Sequence, residues 1–158
     1  MKIGVVAFSF ASRDKEPNPC NKKLARETKR IAGKLIQKGH EPVIVAQWEV
    51  ASALDKNKLA HVVTRHQEEG KYLDSEEVFA QASEIFTRQD IRIVVVVAQP
   101  FLHITKCRQL VTNSGFLVKK EKVNWIGFDK KSNEPWTRSL ISLFLYALKQ
   151  KIFGHRGS

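Results

Sequence analysis

Three motifs that mark large enzyme classes are missing from this chain of 158 residues. No G-x-G-x-x-G follows the first predicted strand, so the dinucleotide-binding fingerprint is absent. No Walker A sequence occurs, which argues against a P-loop nucleotidase. G-x-S-x-G is also absent, which argues against the nucleophile elbow of the α/β-hydrolases.

Metal-binding patterns and long apolar runs are missing too. His61, His66 and His103 have no cysteine or second clustered ligand at metal-site spacing, so we predict no metal. Without a run of about 18 apolar residues, no membrane span is expected. The only cysteines are Cys20 and Cys107. Such a pair in a core-forming chain favours reduced thiols, and together with the lack of a signal-peptide pattern it predicts a cytoplasmic location.

Acidic residues are few relative to basic ones. There are 27 Lys and Arg residues against 16 Asp and Glu residues, giving a net charge of +11. This balance suits an anionic partner, whether a phosphorylated metabolite, a nucleic acid or an anionic lipid surface. On the first predicted helix, basic residues recur at every fourth position and drift about 40° per step, forming a winding basic edge. Its members are Lys22, Arg26, Arg30, Lys34 and Lys38.

The most informative stretch that is present covers residues 91–115. It opens with an apolar, β-branched run at 93–98, typical of a parallel strand buried on both faces. Pro100 ends the strand because it has no backbone N–H to donate. A helical pattern follows, with Ile104, Cys107, Leu110 and Val111 on one side. A strand, a short loop and a helix in this order form the unit that places ligands at the carboxyl end of a parallel sheet.

The rest of the chain repeats this alternation. Further strands are predicted at residues 3–10, 42–47, 61–64 and 123–128, with a polar loop at 67–72. Helices are predicted from Asn21 to residue 38, from Asp74 or Ser75 onwards, and over 134–153. In the last helix the residues expected to be buried are Leu140, Phe144, Ala147 and Leu148.

Strands that alternate with helices predict βαβ units. We therefore expect an α/β fold, a single three-layer Rossmann-like domain with a mainly parallel sheet. This domain covers residues 1–154, and residues 155–158 form a disordered tail.

Polar side chains follow the predicted strands. Because ligands of parallel sheets bind outside the carboxyl ends of the strands, we predict a site there for an anionic or nucleotide-like small molecule. In this site Arg13 and Lys106 hold the anion, His103 is the acid or base, and Glu77 orients it or accepts a proton. The other predicted ligand-binding residues are Ser9, Ser12, Gln47, Glu49 and Gln99.

Each of these assignments has a purely structural alternative. His103, close to a helix start, also fits a capping or surface residue. Glu77 also fits a residue that favours the helix dipole. Lys106 and Arg13 also fit solvated surface charges.

Two segments resemble a known family. His103 to Cys107, after a Val-rich strand, resembles the H-x-x-R-A segment of the YdcF-like and SanA-like envelope proteins, a domain family of unknown function. Lys106 stands where that family has Arg. Asp74 to Glu77 resembles the family's N-T-x-E segment, with Ser75 at the Thr position.

The resemblance covers most of the chain but has departures. The family's second strand commonly ends in a Ser-Gly-Gly loop, whereas this chain has Ala46-Gln47-Trp48-Glu49. The resemblance implies a three-layer Rossmann-like fold, a role in cell-envelope metabolism, and binding of S-adenosylmethionine or another nucleotide-like molecule.

Three functions follow from these observations. The favoured one is the small-molecule site, with or without transferase or hydrolase chemistry. A nucleic-acid-binding module is motivated by the charge of +11, but the chain has no recognised nucleic-acid motif. Attachment to an anionic membrane is motivated by the last helix, where an apolar run precedes Lys149 and Lys151. The simpler expectation for that helix is packing on the sheet.

Overall fold

A five-stranded, all-parallel sheet forms the middle layer of the protein in a computed structural model that describes residues 1–13, 18–54, 60–63 and 73–153. The strand order is β3-β2-β1-β4-β5. The central strand β1 and its neighbour β4 are apolar runs of the sequence, and their valines are almost fully buried because helices cover both faces. The strands are β1 (Lys2–Ala7), β2 (Glu41–Gln47), β3 (Ala60–Val63), β4 (Ile93–Val97) and β5 (Leu117–Val118).

Helices flank the sheet and complete a three-layer arrangement. They are α1 (Pro19–Gln37), α2 (Trp48–Ala51), α3 (Ser75–Arg88), α4 (Leu102–Asn113) and α5 (Leu140–Phe153), with a 3₁₀ turn at Pro135–Thr137. Helix α1 packs against α2, and α3 packs against α4. The predicted α/β, Rossmann-like fold is therefore confirmed.

The helix starts differ in how they are capped. Asn18, not Asn21, is the N-cap of α1, and its side chain accepts the Asn21 N–H at 2.9 Å. The Asn21 side chain instead accepts the Phe10 N–H at 2.8 Å and donates to the Ala11 carbonyl at 3.0 Å. The prediction that Asn21 caps α1 was wrong because this side chain holds the loop after β1. Helix α3 begins at Ser75, and of the two predicted caps, Asp74 and Ser75, it is Asp74 that forms the N-cap, in a capping box with Glu77.

The predicted strand at residues 123–128 is not formed. In its place the sheet ends with the two-residue β5, after which the Lys119 N–H still donates to the Val94 carbonyl. Further along, the Asn124 N–H donates to Glu27 Oε2 at 2.9 Å. The backbone of this segment therefore bonds to a side chain of α1 rather than to a neighbouring strand.

Helix α5 does not bury the residues expected from its pattern. Leu140, Phe144 and Leu148 are exposed, Ala147 is half-buried, and Leu143 is the buried leucine of the helix. The prediction was wrong because α5 packs mainly on the 3₁₀ turn, and to a lesser extent on α4, instead of lying on the sheet. No helix in the described ranges is long and apolar enough to cross a membrane.

Some predictions fall outside the described residues. These are the polar loop at 67–72, the end of the predicted strand at Thr64, and the domain end and tail at 154–158.

Candidate functional site

The carboxyl edge of the sheet has a natural point for a ligand between β1 and β4. After β1 the chain continues to β2 on one side of the sheet, and after β4 it continues to β5 on the other side. The connections that follow these two adjacent strands therefore run in opposite directions. Ligands of doubly wound sheets bind at such a switch in strand order. Ser9 follows β1 and Gln99 follows β4, and both side chains are buried.

Gln47, the last residue of β2, ties this edge together. Its Oε1 accepts the Ser9 N–H at 2.9 Å, and its Nε2 donates to the Leu73 carbonyl at 3.0 Å. It thus joins the loop after β1 to the segment that precedes α3. Gln47 lies at the end of β2, as the sequence predicts, and its two bonds position the backbone of Ser9 and Leu73.

Glu49, at the start of α2, is buried with an incomplete set of hydrogen bonds. The residue is 5% exposed, and burial raises the pKa of its carboxyl to about 7, although hydrogen bonds with the Ser9 and Gln47 side chains favour the charged form. Its Oε2 atom has no hydrogen-bond partner among the described residues. The carboxyl group can therefore both accept and donate near neutral pH.

Gln99 replaces the missing side-chain cap of α4. Its Oε1 accepts the Phe101 N–H at 3.0 Å, and its carbonyl accepts the Ile104 N–H at 3.1 Å. Phe101, the N-cap residue itself, makes no side-chain cap. The Gln99 Nε2 group is buried and finds no acceptor within the described part of the chain.

His103 lies in the first turn of α4 against aromatic rings. Its ring centroid is 6.3 Å from that of Phe8 and 5.8 Å from that of Phe10, and its Nε2 is 3.2 Å from Ser75 Oγ. Burial, with a smaller contribution from Lys106, lowers the pKa of His103 to about 4, so the imidazole is neutral at pH 7. Its Nδ1 atom is buried and lacks a partner in the described ranges.

These atoms belong to a larger pattern. Five buried side-chain N or O atoms lack a hydrogen-bond partner among the described residues, and the fifth lies on Arg108, further along α4. The other four lie on loops or at helix starts at the carboxyl edge. Asn18 is one of them because it is the N-cap of α1. We call them the four unpaired atoms: Asn18 Nδ2, Glu49 Oε2, Gln99 Nε2 and His103 Nδ1.

Two predicted site residues have structural roles. The Glu77 carboxylate accepts the Asp74 N–H at 3.0 Å while Asp74 accepts the Glu77 N–H at 2.9 Å, which closes the capping box of α3. Arg13 forms a two-bond ion pair with Asp129, at 2.7 Å from Nε to Oδ2 and 2.6 Å from Nη2 to Oδ1. Hydrogen bonds from Arg13 hold the pKa of Asp129 below its ordinary value. The charge of Arg13 is thus compensated within the protein.

The remaining two predicted residues are Ser12, in the loop after β1, and Lys106, on α4. Ser12 is bound to the segment after Asp129, since its N–H donates to Ser132 Oγ at 3.1 Å and its carbonyl accepts the Asn133 N–H at 2.9 Å. Lys106 is exposed on α4, one turn after His103, so its cation is available to a ligand.

Sequence reasoning missed the partners of His103. Ser75 is 28 residues away in sequence, and no spacing signal connects the two. Cys107 Sγ lies 3.8 Å from the same Ser75 hydroxyl, and burial raises the pKa of Cys107 to about 12. Burial likewise raises the pKa of Cys20 to about 11. Both thiols therefore stay protonated and neither is an activated nucleophile.

Part of the predicted basic edge is used inside the protein. Arg30 bonds the carboxylate of Glu27, and Lys34 bonds that of Glu121 at 2.6 Å. Asn124 adds two further bonds to Glu27, from its backbone N–H and its side-chain amide. Burial alone would raise the pKa of Glu27, but the bonds from Arg30 and Asn124 outweigh it and hold the pKa below the ordinary value. We call Glu27, Arg30 and Asn124 the Glu27 cluster.

Other parts of the described structure offer less. No group of three His, Cys, Asp or Glu side chains in those ranges is placed to hold a metal ion. A shallow, open depression on the last two turns of α3 is lined by Ser83, Glu84, Thr87 and Arg88 and contains none of the predicted site residues.

Comparison with known proteins leaves the family of the chain open. No protein-family model and no curated protein sequence matches it. The resemblance to the YdcF-like and SanA-like proteins stays a prediction, and the geometry at the strand ends carries the functional proposal.

Proposed function

We propose that the protein binds an anionic or nucleotide-like small molecule at the carboxyl edge of its sheet. The observation that carries this proposal is the gathering of the four unpaired atoms at that edge. A buried polar group without a partner costs about 1–3 kcal/mol. A ligand that supplies the missing partners recovers this free energy on binding. The unpaired atoms therefore favour a ligand-binding role for this edge over a purely structural one.

The chemistry of the unpaired atoms indicates the ligand. The amide groups of Asn18 and Gln99 are donors at the starts of α1 and α4, where helix dipoles favour negative charge, and Lys106 adds a cation one turn into α4. These groups suit a phosphate or carboxylate. Glu49 suits a hydroxyl or amino group. Nucleotides, sugar phosphates and S-adenosylmethionine each combine an anion with such groups.

Transferase or hydrolase chemistry is the second candidate, and the contact between Ser75 and His103 favours it. A neutral imidazole 3.2 Å from a hydroxyl can accept its proton. Because a pKa of about 4 makes His103 a weak base, we rank binding above catalysis.

Two further parts of the proposal come from the sequence. A role in cell-envelope metabolism follows from the resemblance. A cytoplasmic location is supported by Cys20 and Cys107, which are free and buried. A nucleic-acid partner is not favoured, since Arg30 and Lys34 of the basic edge already bond Glu27 and Glu121.

A thermal-shift screen tests the binding proposal. The compounds are S-adenosylmethionine, nucleotides, sugar phosphates and polyprenyl phosphate analogues. A ligand at a hundred times its dissociation constant adds about 2.7 kcal/mol of stability, which raises the Tm of a chain this size by about 5–10 °C. We expect at least one of these classes to produce such a shift.

A matched pair of variants places the ligand. Gln99→Glu keeps the oxygen that caps α4 but replaces the Nε2 donor by a negative charge, so we expect affinity for the anion to fall at least about tenfold. Gln89→Glu makes the same change at the far end of α3 and should bind like the wild type. The proposal fails if no compound shifts the wild type, or if Gln99→Glu binds as tightly as Gln89→Glu.

The catalytic candidate needs a separate measurement. Ser75→Ala should lower turnover of an identified substrate by about 10²–10⁴-fold while its affinity changes only a few-fold. Ser83→Ala, on the same helix, is the control. Equal turnover in both variants would show that Ser75 takes no part in catalysis, and the proposal would then be limited to ligand binding.

A further inference from the structure

Helix α5 presents its most apolar side to solvent. Ile141 is 73% exposed, whereas Leu143, two residues later, is 5% exposed. The exposed residues form what we call the apolar stripe: Leu140, Ile141, Phe144, Leu145, Leu148 and Ile152.

The stripe is a continuous face of the helix. At 100° per residue, its six members fall within an arc of about 140°. The opposite side of the helix carries Leu143, Tyr146 and Gln150. Tyr146 stacks on Trp136 of the 3₁₀ turn with ring centroids 4.7 Å apart, and Gln150 Nε2 donates to the Tyr146 hydroxyl at 2.6 Å. These contacts hold the helix by its more polar side, so the stripe is directed away from the described part of the protein.

The charges around the stripe have one sign. Residues 140–153 contain no Asp or Glu, and the two charged residues among them are Lys149 and Lys151. In projection down the helix axis, Lys149 lies beyond Leu145 at one border of the stripe, and Lys151 lies within the arc of the stripe, between Leu140 and Phe144, in the last turn of the helix. Lysines beside an apolar face can extend their long side chains so that the ammonium group reaches the phosphates of an anionic membrane surface.

We propose that α5 lies in the surface of an anionic lipid bilayer, with the apolar stripe at the acyl boundary and Lys149 and Lys151 at the level of the phosphates. A helix of 14 residues is about 21 Å long, too short to span the hydrocarbon core, so it lies in the plane of the surface. The net charge of +11 attracts the whole protein to such a surface.

A second copy of the chain fits this stripe less well. Two α5 helices packed together would bring four lysines and two proteins of charge +11 into contact, and the helix has no acidic residue to pair with them. Anionic lipid removes the same apolar surface from water and complements the charge. This inference does not depend on the proposed small-molecule site.

Vesicle flotation of the full chain tests the inference. We expect the protein to float with vesicles of equal parts phosphatidylglycerol and phosphatidylcholine, and to remain at the bottom with phosphatidylcholine alone. The double variant Ile141→Gln with Phe144→Gln should bind at least about tenfold more weakly. Ile36→Gln with Leu117→Gln changes two exposed apolar residues elsewhere and should bind like the wild type.

The lysines and the insertion of the stripe have their own measurements. A lysine near an anionic surface contributes about fivefold in affinity, so Lys149→Gln with Lys151→Gln should weaken binding about 25-fold. Phe144→Trp places an indole in the stripe, and its fluorescence should shift to shorter wavelength on adding the anionic vesicles.

Four results would overturn the inference. One is failure of the wild type to float with the anionic vesicles. Another is flotation that the stripe variant does not weaken. The third is a Phe144→Trp spectrum that does not change. The fourth is a dimer in sedimentation experiments that the stripe variant abolishes, which would assign the stripe to a second copy.

Discussion

Two buried glutamates in this protein have opposite electrostatics. Glu27 is 8% exposed and Glu49 is 5% exposed, so both carboxyl groups are largely removed from water. The pKa of Glu27 is held below its ordinary value, whereas the pKa of Glu49 is raised to about 7. The exposed fractions are similar, but Glu49 lies deeper in the protein, so burial raises its pKa more, and no cation among the described residues bonds it as Arg30 bonds Glu27.

Glu27 is enclosed by donors that match it. Arg30 and Asn124 bond both of its oxygens and join α1 to the segment after β5. Glu49 has one oxygen without a partner among the described residues, at an edge where three other buried atoms share this condition. Burial of a charged residue therefore does not by itself indicate a ligand site, and it is the incomplete hydrogen bonding at Glu49 on which the proposed site rests.

The largest expected effect is at Glu49. Its folded-state pKa of about 7 lies above its ordinary value of 4.5, so the folded protein holds an extra proton between these values and loses stability as the pH rises through them. Because glutamine does not titrate, the Glu49→Gln variant does not lose this stability as the pH rises. We expect this variant to equal the wild type near pH 4 and to exceed it by about 2–3 kcal/mol at pH 8, measured by urea unfolding.

The comparison between variant and wild type is essential for this test. His103 has a folded-state pKa of about 4, below its ordinary 6.5, so its contribution to stability grows as the pH rises from 4 to 6.5. This trend opposes that of Glu49 in the wild-type curve. A difference between Glu49→Gln and the wild type that does not change with pH would contradict the account of Glu49.

The same substitution should have the opposite sign at Glu27. Glu27→Gln loses charge-assisted bonds from Arg30 and Asn124, so we expect a decrease of about 1.5–3 kcal/mol at neutral pH. Because the folded-state pKa of Glu27 is lowered, this decrease should shrink as the pH falls through that pKa. If both variants change stability in the same direction at pH 8, the contrast between the two glutamates is wrong.

The smallest effect is expected at Lys106. This lysine is exposed, so Lys106→Ala should leave the free energy of unfolding within about 0.5 kcal/mol of the wild type. Affinity for an anionic ligand should fall about two- to fivefold at low salt, with a smaller difference at high salt. Lys149→Ala, on α5, is the matched control in titration calorimetry, and equal losses in both variants would remove Lys106 from the site.

Elements with a local signal could be predicted from the sequence. The apolar, β-branched runs of β1 and β4 and the helix start at Asp74 or Ser75 depend on neighbouring residues, and they are confirmed, with Asp74 as the cap. The rule that ligands bind at the carboxyl ends of parallel strands requires only the strand ends. It therefore predicts Gln47, Glu49 and Gln99 at this edge without requiring any contact between them.

Features that depend on distant contacts could not be predicted. Residues 123–128 have a strand pattern, but the backbone N–H of Asn124 donates to the carboxylate of Glu27 instead of to a strand. Glu27 lies 97 positions earlier in the sequence. The pairing of Arg13 with Asp129 joins residues 116 apart. In α5 the pattern correctly indicates an apolar face but does not say whether the protein or an outside surface covers it.

A side-chain amide spectrum of the ¹⁵N-labelled protein tests the central claim most directly, because it observes both regions at once. The Gln99 amide carries one of the four unpaired atoms, and the Asn124 amide is hydrogen-bonded within the Glu27 cluster. On titration with the four ligand classes of the thermal-shift screen, we predict that the Gln99 signals move with at least one class while the Asn124 signals stay in place. Gln99 signals that move with none of them, or a ligand that moves Asn124 instead, would contradict the account.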